Sequence, residues 1–172
     1  MKVELTLEEQ YFVKMFAELR YLFSRLRGTV DQKKGGQSNE DTDKEGLGAE
    51  MAFCKLTNKY PLSLRLTPDT GFDCIAKDKR TIDIKSTKHL NGHLIAKLET
   101  KNNPADIYVL MVGEFPTYWY KGCATKEELF QEENITELLP GKKCYALPQY
   151  KLSIGLKADQ PSATEDEQES KQ

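Results

Sequence analysis

The first part of the chain has apolar residues at helical spacing. Thr6 and Glu9 form a capping box, the pattern that opens many helices. Gly28 is a natural place for this helix to end. The apolar stripe between them consists of Phe12, Met15, Phe16, Leu19, Leu22, Phe23 and Leu26. We expect most of this wide stripe to pack on a sheet, with a spare strip available for a homodimer.

A second capping box, formed by Thr42 and Glu45, predicts another helix that runs to about residue 60. The apolar residues of this segment lie on more than one side of the helix, so we expect it to be packed on more than one side. The stretch from about 30 to 43 is polar and contains glycine, which predicts a mobile loop.

From residue 62 onward the spacing changes from helical to alternating, which is typical of strands. A turn is predicted at 77–79, and a third capping box at Thr125 and Glu128 opens a short helix. The predicted strands are 62–66, 72–76, 80–87, 94–98, 106–112, 117–123 and 145–154. The continuous apolar run at 106–112 is typical of a strand covered on both faces. Two helices before a block of strands favour an α+β arrangement or a mixed sheet flanked by helices.

The length of 172 residues suggests one domain, which we place at 1–157. Residues 158–172 are acidic and lack large apolar residues, which predicts a disordered tail. The whole chain has a net charge of −2, but residues 159–172 contain five acids and one base. The rest of the chain is therefore slightly basic, which permits a nucleic-acid partner without requiring one.

Several classes of protein are disfavoured by composition. No apolar run is long enough to span a bilayer, so we expect no membrane association. The first residues carry an early acid and no apolar secretion segment, which favours a cytoplasmic protein. The cysteines, at 54, 74, 123 and 144, have neither zinc-finger nor iron–sulfur spacing, and we expect reduced thiols.

The segment Thr81-Ile82-Asp83-Ile84-Lys85 alternates apolar residues with one acidic and one basic residue, which is the periodicity of a strand. Because alternate side chains of a strand share a face, Asp83 and Lys85 should point together, away from the core that holds both isoleucines. A carboxylate can bind a hard divalent cation, and an ammonium group can hold a water molecule near a phosphate. This pair therefore indicates metal-assisted phosphate chemistry.

A second carboxylate, Asp73, lies ten residues before Asp83. If 72–76 and 80–87 form a hairpin through the 77–79 turn, the two carboxylates become neighbours. Such closeness is costly unless a cation lies between them. Glu50, on the preceding helix, could complete the site directly or through water.

The combination of Glu50, of Asp73 within Pro68-Asp69-Thr70-Gly71-Phe72-Asp73, and of Asp83-Ile84-Lys85 resembles the PD-(D/E)xK nuclease superfamily. The order of elements from 43 to 123 resembles this superfamily too, including its small phage, resolvase and exonuclease members. The motif departs from the usual pattern because the proline–aspartate pair stands four residues before Asp73. Asp69 therefore remains an alternative ligand.

The resemblance implies an α/β, restriction-endonuclease-like domain with a mixed central β-sheet flanked by helices. It implies Mg²⁺, with Mn²⁺ able to substitute, and DNA as the substrate, cut to leave 5′-phosphates. Asp73 and Asp83 would bind the metal together with the Ile84 carbonyl, Glu50 would assist, and Lys85 would activate the attacking water. The alternative is a catalytically inactive nucleic-acid-binding or protein-interaction module with the same fold.

Overall fold

In the computed structural model of the chain, residues 1–26, 39–59, 71–102 and 104–155 are described. The helices are α1 (Leu7–Leu26), α2 (Asn39–Thr57) and α3 (Lys126–Leu129). The strands are β1 (Lys2–Glu4), β2 (Cys74–Ile75), β3 (Thr81–Thr87), β4 (Leu94–Lys97), β5 (Ile107–Glu114), β6 (Thr117–Thr125), β7 (Ile135–Leu139) and β8 (Lys142–Leu147). Short 3-10 turns lie at 98–102, 132–134 and 149–151.

Five strands form a central mixed sheet in the order β1-β6-β5-β3-β2. The pair β3 and β5 is parallel, with Ile82 opposite Ile107 at one end and Thr87 opposite Val112 at the other. The other neighbours in this sheet are antiparallel. The prediction of an α/β domain with a mixed central sheet is therefore confirmed. Strand β1, at the edge beside β6, was not predicted.

Helix α2 lies between the central sheet and α1. Its buried side chains belong to the same core cluster as Ile82, Ile84 and the alternate residues of β5. At Gly48 the helix comes so close to the sheet that an added Cβ would lie 2.5 Å from the Tyr118 hydroxyl. The expectation that this helix is packed on more than one side is confirmed.

The opposite face of the central sheet is covered by a second, three-stranded sheet in the order β4-β8-β7. Tyr108, Leu110 and Val112 of β5 pack there against residues of β4, β8 and α3. The strand β5 is buried along nearly its whole length because it is covered by α2 on one side and by this second sheet on the other. The sequence predicted β4. The strand predicted at 145–154 is correct only for its first three residues, which belong to β8, because the chain turns into a 3-10 helix at Gln149–Lys151. Neither β7 nor the assembly of these strands into a separate layer was predicted.

Helix α1 begins as predicted, since Glu9 and Thr6 bond to each other's backbone amides. It packs mainly on α2, and its fully buried side chains are Val13 and Ala17. The expectation that most of the apolar stripe packs on the sheet is wrong, because α2 separates α1 from the sheet. Most of the large stripe residues are exposed to solvent.

Several predictions lie on residues outside the described ranges. These are the strand at 62–66, the alternative ligand Asp69, the acidic tail at 158–172 and most of the loop at 30–43. The last residues of that predicted loop belong to α2, which begins at Asn39, before the Thr42 capping box. No helix in the described part of the chain is long and apolar enough to cross a membrane.

Candidate functional site

The hairpin of β2 and β3 brings Asp73 beside Asp83, as the sequence predicted. Cys74 is opposite Ile82, and the Asp73 amide donates to the Ile82 carbonyl at 2.8 Å. The turn at 77–79 is closed by a bond of 2.8 Å from the Ala76 amide to the Arg80 carbonyl. This pairing leaves Asp73 at the open end of the hairpin, next to the middle of β3.

Strand β3 places its isoleucines and its polar residues on different faces. Ile82 and Ile84 lie in the core cluster under α2. Asp83 is paired in the parallel register with Tyr108, whose ring lies in the cluster under the second sheet. Burial, with Asp83 nearby, raises the pKa of Tyr108 to about 12. The alternation predicted for this strand is therefore present.

Asp83 and Lys85 form a close ion pair, with 2.7 Å between the Lys85 ammonium and a carboxylate oxygen. Asp83 is 7% exposed, whereas the Lys85 side chain is 39% exposed. The lysine thus holds one buried carboxylate and still reaches solvent.

Asp73 is 8% exposed and accepts a bond of 2.6 Å from the Ile84 amide. Burial, then repulsion from Glu50 and Asp83, raises the pKa of Asp73 to about 9, although the Ile84 amide and Lys85 act in the opposite direction. The repulsion means that three carboxyl groups from α2, from the segment before β2 and from β3 lie within electrostatic reach of one another. Each charge added to this group therefore costs free energy unless a cation compensates it.

Glu50 is half-buried on α2, and its Oε2 atom is shielded from solvent. One helical turn later, Cys54 forms a thiol hydrogen bond with Cys74. This bond and burial raise the pKa of Cys54, so its thiol stays neutral. The thiol pair was missed by sequence reasoning, although Cys54 follows Glu50 by four residues and Cys74 adjoins Asp73. Both side chains are buried in the core cluster, and the bond with Cys54 lowers the pKa of Cys74.

The donor set fits a hard divalent cation because it consists of carboxylate oxygens. The repulsion that raises the pKa of Asp73 is the second observation in favour of a cation, since a dication offsets it. Within the described ranges, no three His, Cys, Asp or Glu side chains have the geometry of a preassembled metal site. The Asp73 and Asp83 carboxylates instead bond to the Ile84 amide and to Lys85.

A cavity of about 490 Å³ opens at the end of β3, directly after Lys85 in the chain. Ser86, Thr87 and Lys88 form one wall, and Glu45 of α2 forms part of the other. Lys88 is held there by Glu114 at 2.7 Å and by Glu45 at 3.5 Å. The lining therefore combines hydroxyl groups, the Lys88 ammonium group and the Glu45 carboxylate.

Comparisons of the chain with protein-family models, with curated proteins and with solved structures found no match.

Proposed function

We propose that this chain is a Mg²⁺-dependent deoxyribonuclease that hydrolyses phosphodiester bonds. The observation that supports the proposal best is the convergence of Glu50, Asp73, Asp83 and Lys85. They come from a helix, a loop and a strand that are distant in sequence, yet they meet at one edge of the central sheet. Buried carboxylates beside a solvent-reaching lysine are costly for stability, which favours a chemical role for them.

Asp73 and Asp83 would hold the metal ion, with the Ile84 carbonyl and Glu50 as further ligands or as ligands through water. When bound, the ion would supply Lewis-acid stabilisation of charge at the scissile phosphate. Mn²⁺ should substitute because it also accepts oxygen ligands.

Lys85 would orient the attacking water and offset the charge that develops on the phosphate oxygens. Its ammonium group is fixed by Asp83 at 2.7 Å, so little reorganisation is needed when substrate arrives. The role of Asp83 is therefore double, since it would bind the ion and also position the lysine.

The hydroxyl groups of Ser86 and Thr87 and the Lys88 ammonium would contact the phosphate next to the scissile one. They line the cavity that begins where β3 leaves the carboxyl cluster. Contacts of this kind hold the backbone of a nucleic acid without reading its sequence.

The direct test is cleavage of supercoiled plasmid with Mg²⁺, with Mn²⁺ and with EDTA. The wild type should convert plasmid to nicked or linear DNA only with a divalent ion. Asp83→Asn should abolish cleavage, because it removes a metal ligand and the partner of Lys85. Glu133→Gln is the matched control, since it neutralises an exposed acid that forms an ion pair with Lys151, outside the carboxyl cluster.

A panel of linear, circular, single-stranded and branched DNA separates exonuclease, endonuclease and junction-resolving activity. Wild-type protein that binds DNA but cuts none of these substrates with either ion would favour the inactive binding module. Cleavage that survives in Asp83→Asn would point to a contaminating nuclease or to a different site.

A further inference from the structure

The outer face of α1 carries an exposed apolar seam. Phe12, Met15, Leu19, Leu22 and Leu26 follow one another at steps of three, four, three and four residues. This is the heptad spacing of the a and d positions in a coiled coil. All five side chains are between 38% and 84% exposed.

The seam lies on the side of α1 that is turned away from α2 and the central sheet. Residues advance by about 100° per position in a helix, so the seam is roughly 160° from the line through Val13 and Ala17. Those two small residues make the buried contact with the fold. The helix thus uses its small side chains inside its own domain and turns its large apolar side chains outward, the reverse of an ordinary surface helix.

We propose that α1 pairs with α1 of a second copy of this chain in an antiparallel two-helix interface. In that arrangement a and d positions alternate across the interface, so Leu19 faces the second copy's Leu22 and Met15 faces the second copy's Leu26. The seam is self-complementary because Met15, Leu19, Leu22 and Leu26 supply both sides of the contact.

The charges beside the seam favour the antiparallel direction. Glu18 and Arg25 are both exposed and both occupy the g position of the heptad. Flanking g positions meet each other in an antiparallel pair, so each Glu18 meets the second copy's Arg25. In a parallel pair a g position meets an e position, and here the e positions hold Phe16 and Phe23. Arg25 also bonds to the Tyr21 hydroxyl at 3.1 Å, which keeps the guanidinium on this flank of the helix.

The interface should be modest in strength. In this register the two helices overlap only over residues 15–26, roughly 18 Å, so the buried area lies at or below the lower limit for specific dimers. We therefore expect a dissociation constant in the micromolar range, on the order of 1–50 µM. The inference does not depend on the proposed nuclease chemistry, since no residue of α1 belongs to that site.

Sedimentation velocity of the full chain from about 1 to about 100 µM tests the pairing. The wild type should shift from monomer to dimer, whereas Leu19→Glu should raise the dissociation constant at least about 100-fold because each dimer loses two buried leucines. Leu138→Glu on β7 is the matched control, since Leu138 is 46% and Leu19 47% exposed. It should dimerise like the wild type.

Charge reversal tests the direction with variants that change only exposed residues. Glu18→Arg and Arg25→Glu should each weaken the dimer about 10-fold at low salt, and the double variant should restore it. A wild type that stays monomeric at 100 µM would overturn the proposal, as would a Leu19→Glu protein, folded by circular dichroism, that still dimerises. Single reversals without effect beside a disruptive Leu19→Glu would overturn the antiparallel arrangement.

Discussion

Among single residues, Asp83 and Lys85 are in contact, but their replacement by alanine should affect metal affinity and cleavage differently. Asp83→Ala removes a carboxylate ligand and the partner of Lys85, so metal affinity and cleavage should both fall. Lys85→Ala leaves the carboxylates and removes a competing cation, so metal should bind as tightly as before or more tightly. Its cleavage rate should nevertheless fall by at least about 100-fold, the usual scale for losing a preorganised charge.

Calorimetric metal titration beside single-turnover cleavage distinguishes these two outcomes. If Lys85→Ala cleaves DNA at the wild-type rate, the lysine is a surface residue without a catalytic role. Normal metal binding together with normal cleavage by Asp83→Ala would mean that the motif lies on a different strand. Lys97→Ala, on β4 of the second sheet, is a control for the loss of a lysine from a strand.

Asp73 gives a prediction about pH, because its pKa is raised to about 9 by burial, Glu50 and Asp83. A raised pKa stabilises the fold below the unfolded pKa, near 3.9, and this contribution is lost as pH rises towards 9. Asp73→Asn cannot ionise and can still accept from the Ile84 amide. In EDTA, its free energy of unfolding should exceed that of the wild type by more than about 1 kcal/mol at pH 8.

The difference between Asp73→Asn and the wild type should shrink as the pH falls towards 4, because the Asp73 carboxyl of the unfolded wild type becomes protonated there as well. Saturating Mg²⁺ at pH 8 should stabilise the wild type more than the variant, because only the wild type gains a charged ligand. Urea denaturation over this pH range measures both effects. Equal stability of the two proteins at pH 8 in EDTA would show that Asp73 is not destabilised by its neighbours.

Sequence reasoning could identify these residues because it needed only strand periodicity and a tight turn. The alternation at 82–85 assigns Asp83 and Lys85 to one face, and the turn at 77–79 brings Asp73 back beside them. The thiol pair of Cys54 and Cys74, in contrast, depends on where α2 docks on the sheet. That docking has no local signal in the sequence.

At the scale of elements, the position of α2 on the sheet controls where Glu50 lies. Gly48 is the point of closest approach, since a Cβ there would be 2.5 Å from the Tyr118 hydroxyl and 2.9 Å from a Phe115 ring carbon. Tyr118 is fully buried and its hydroxyl bonds to Glu45, so it has little room to move. Gly48→Ala should therefore lower the free energy of unfolding by about 1–3 kcal/mol despite its better helix propensity. Displacement of α2 should also reduce cleavage.

Gly46→Ala, two residues earlier, is the matched control for Gly48→Ala. The nearest atom to its added Cβ is Glu50 Oε1 at 3.9 Å, an ordinary contact. This variant should gain up to about 1 kcal/mol of stability from helix propensity alone. Guanidinium denaturation of both variants measures the difference, and equal stabilisation of both would mean that α2 can lift from the sheet at little cost.

Local elements were better predicted than their assembly. The capping boxes at Thr6 and Thr125 and the turn at 77–79 act within a few residues, and the structure contains all three. Strand β7 pairs with β8, and β4 joins β8 across some fifty residues of chain. Such pairing is decided by burial of Tyr145 and Leu147 against β5, which no short window of sequence reveals.

On the scale of the whole molecule, charge is divided unevenly along the chain. Residues 1–157 carry a small positive net charge, and the stretch 159–172 carries five acids and one base. A polyanionic substrate is attracted to the net positive residues 1–157 and repelled by the acidic stretch 159–172. The end of the chain should therefore weaken DNA binding even if it touches nothing.

Truncation after Lys157 tests this division of charge. The removed residues have almost no apolar area to bury, so the melting temperature should change by less than about 2 °C. DNA binding should tighten several-fold at low salt and less at high salt, since the lost repulsion is screened. A full-length variant with its five tail acids changed to Gln or Asn separates charge from length, because it should bind DNA as tightly as the truncated chain. A large loss of melting temperature on truncation would show that the tail contributes to the stability of the fold. If DNA binding is unchanged in both variants, the tail acids do not compete with DNA.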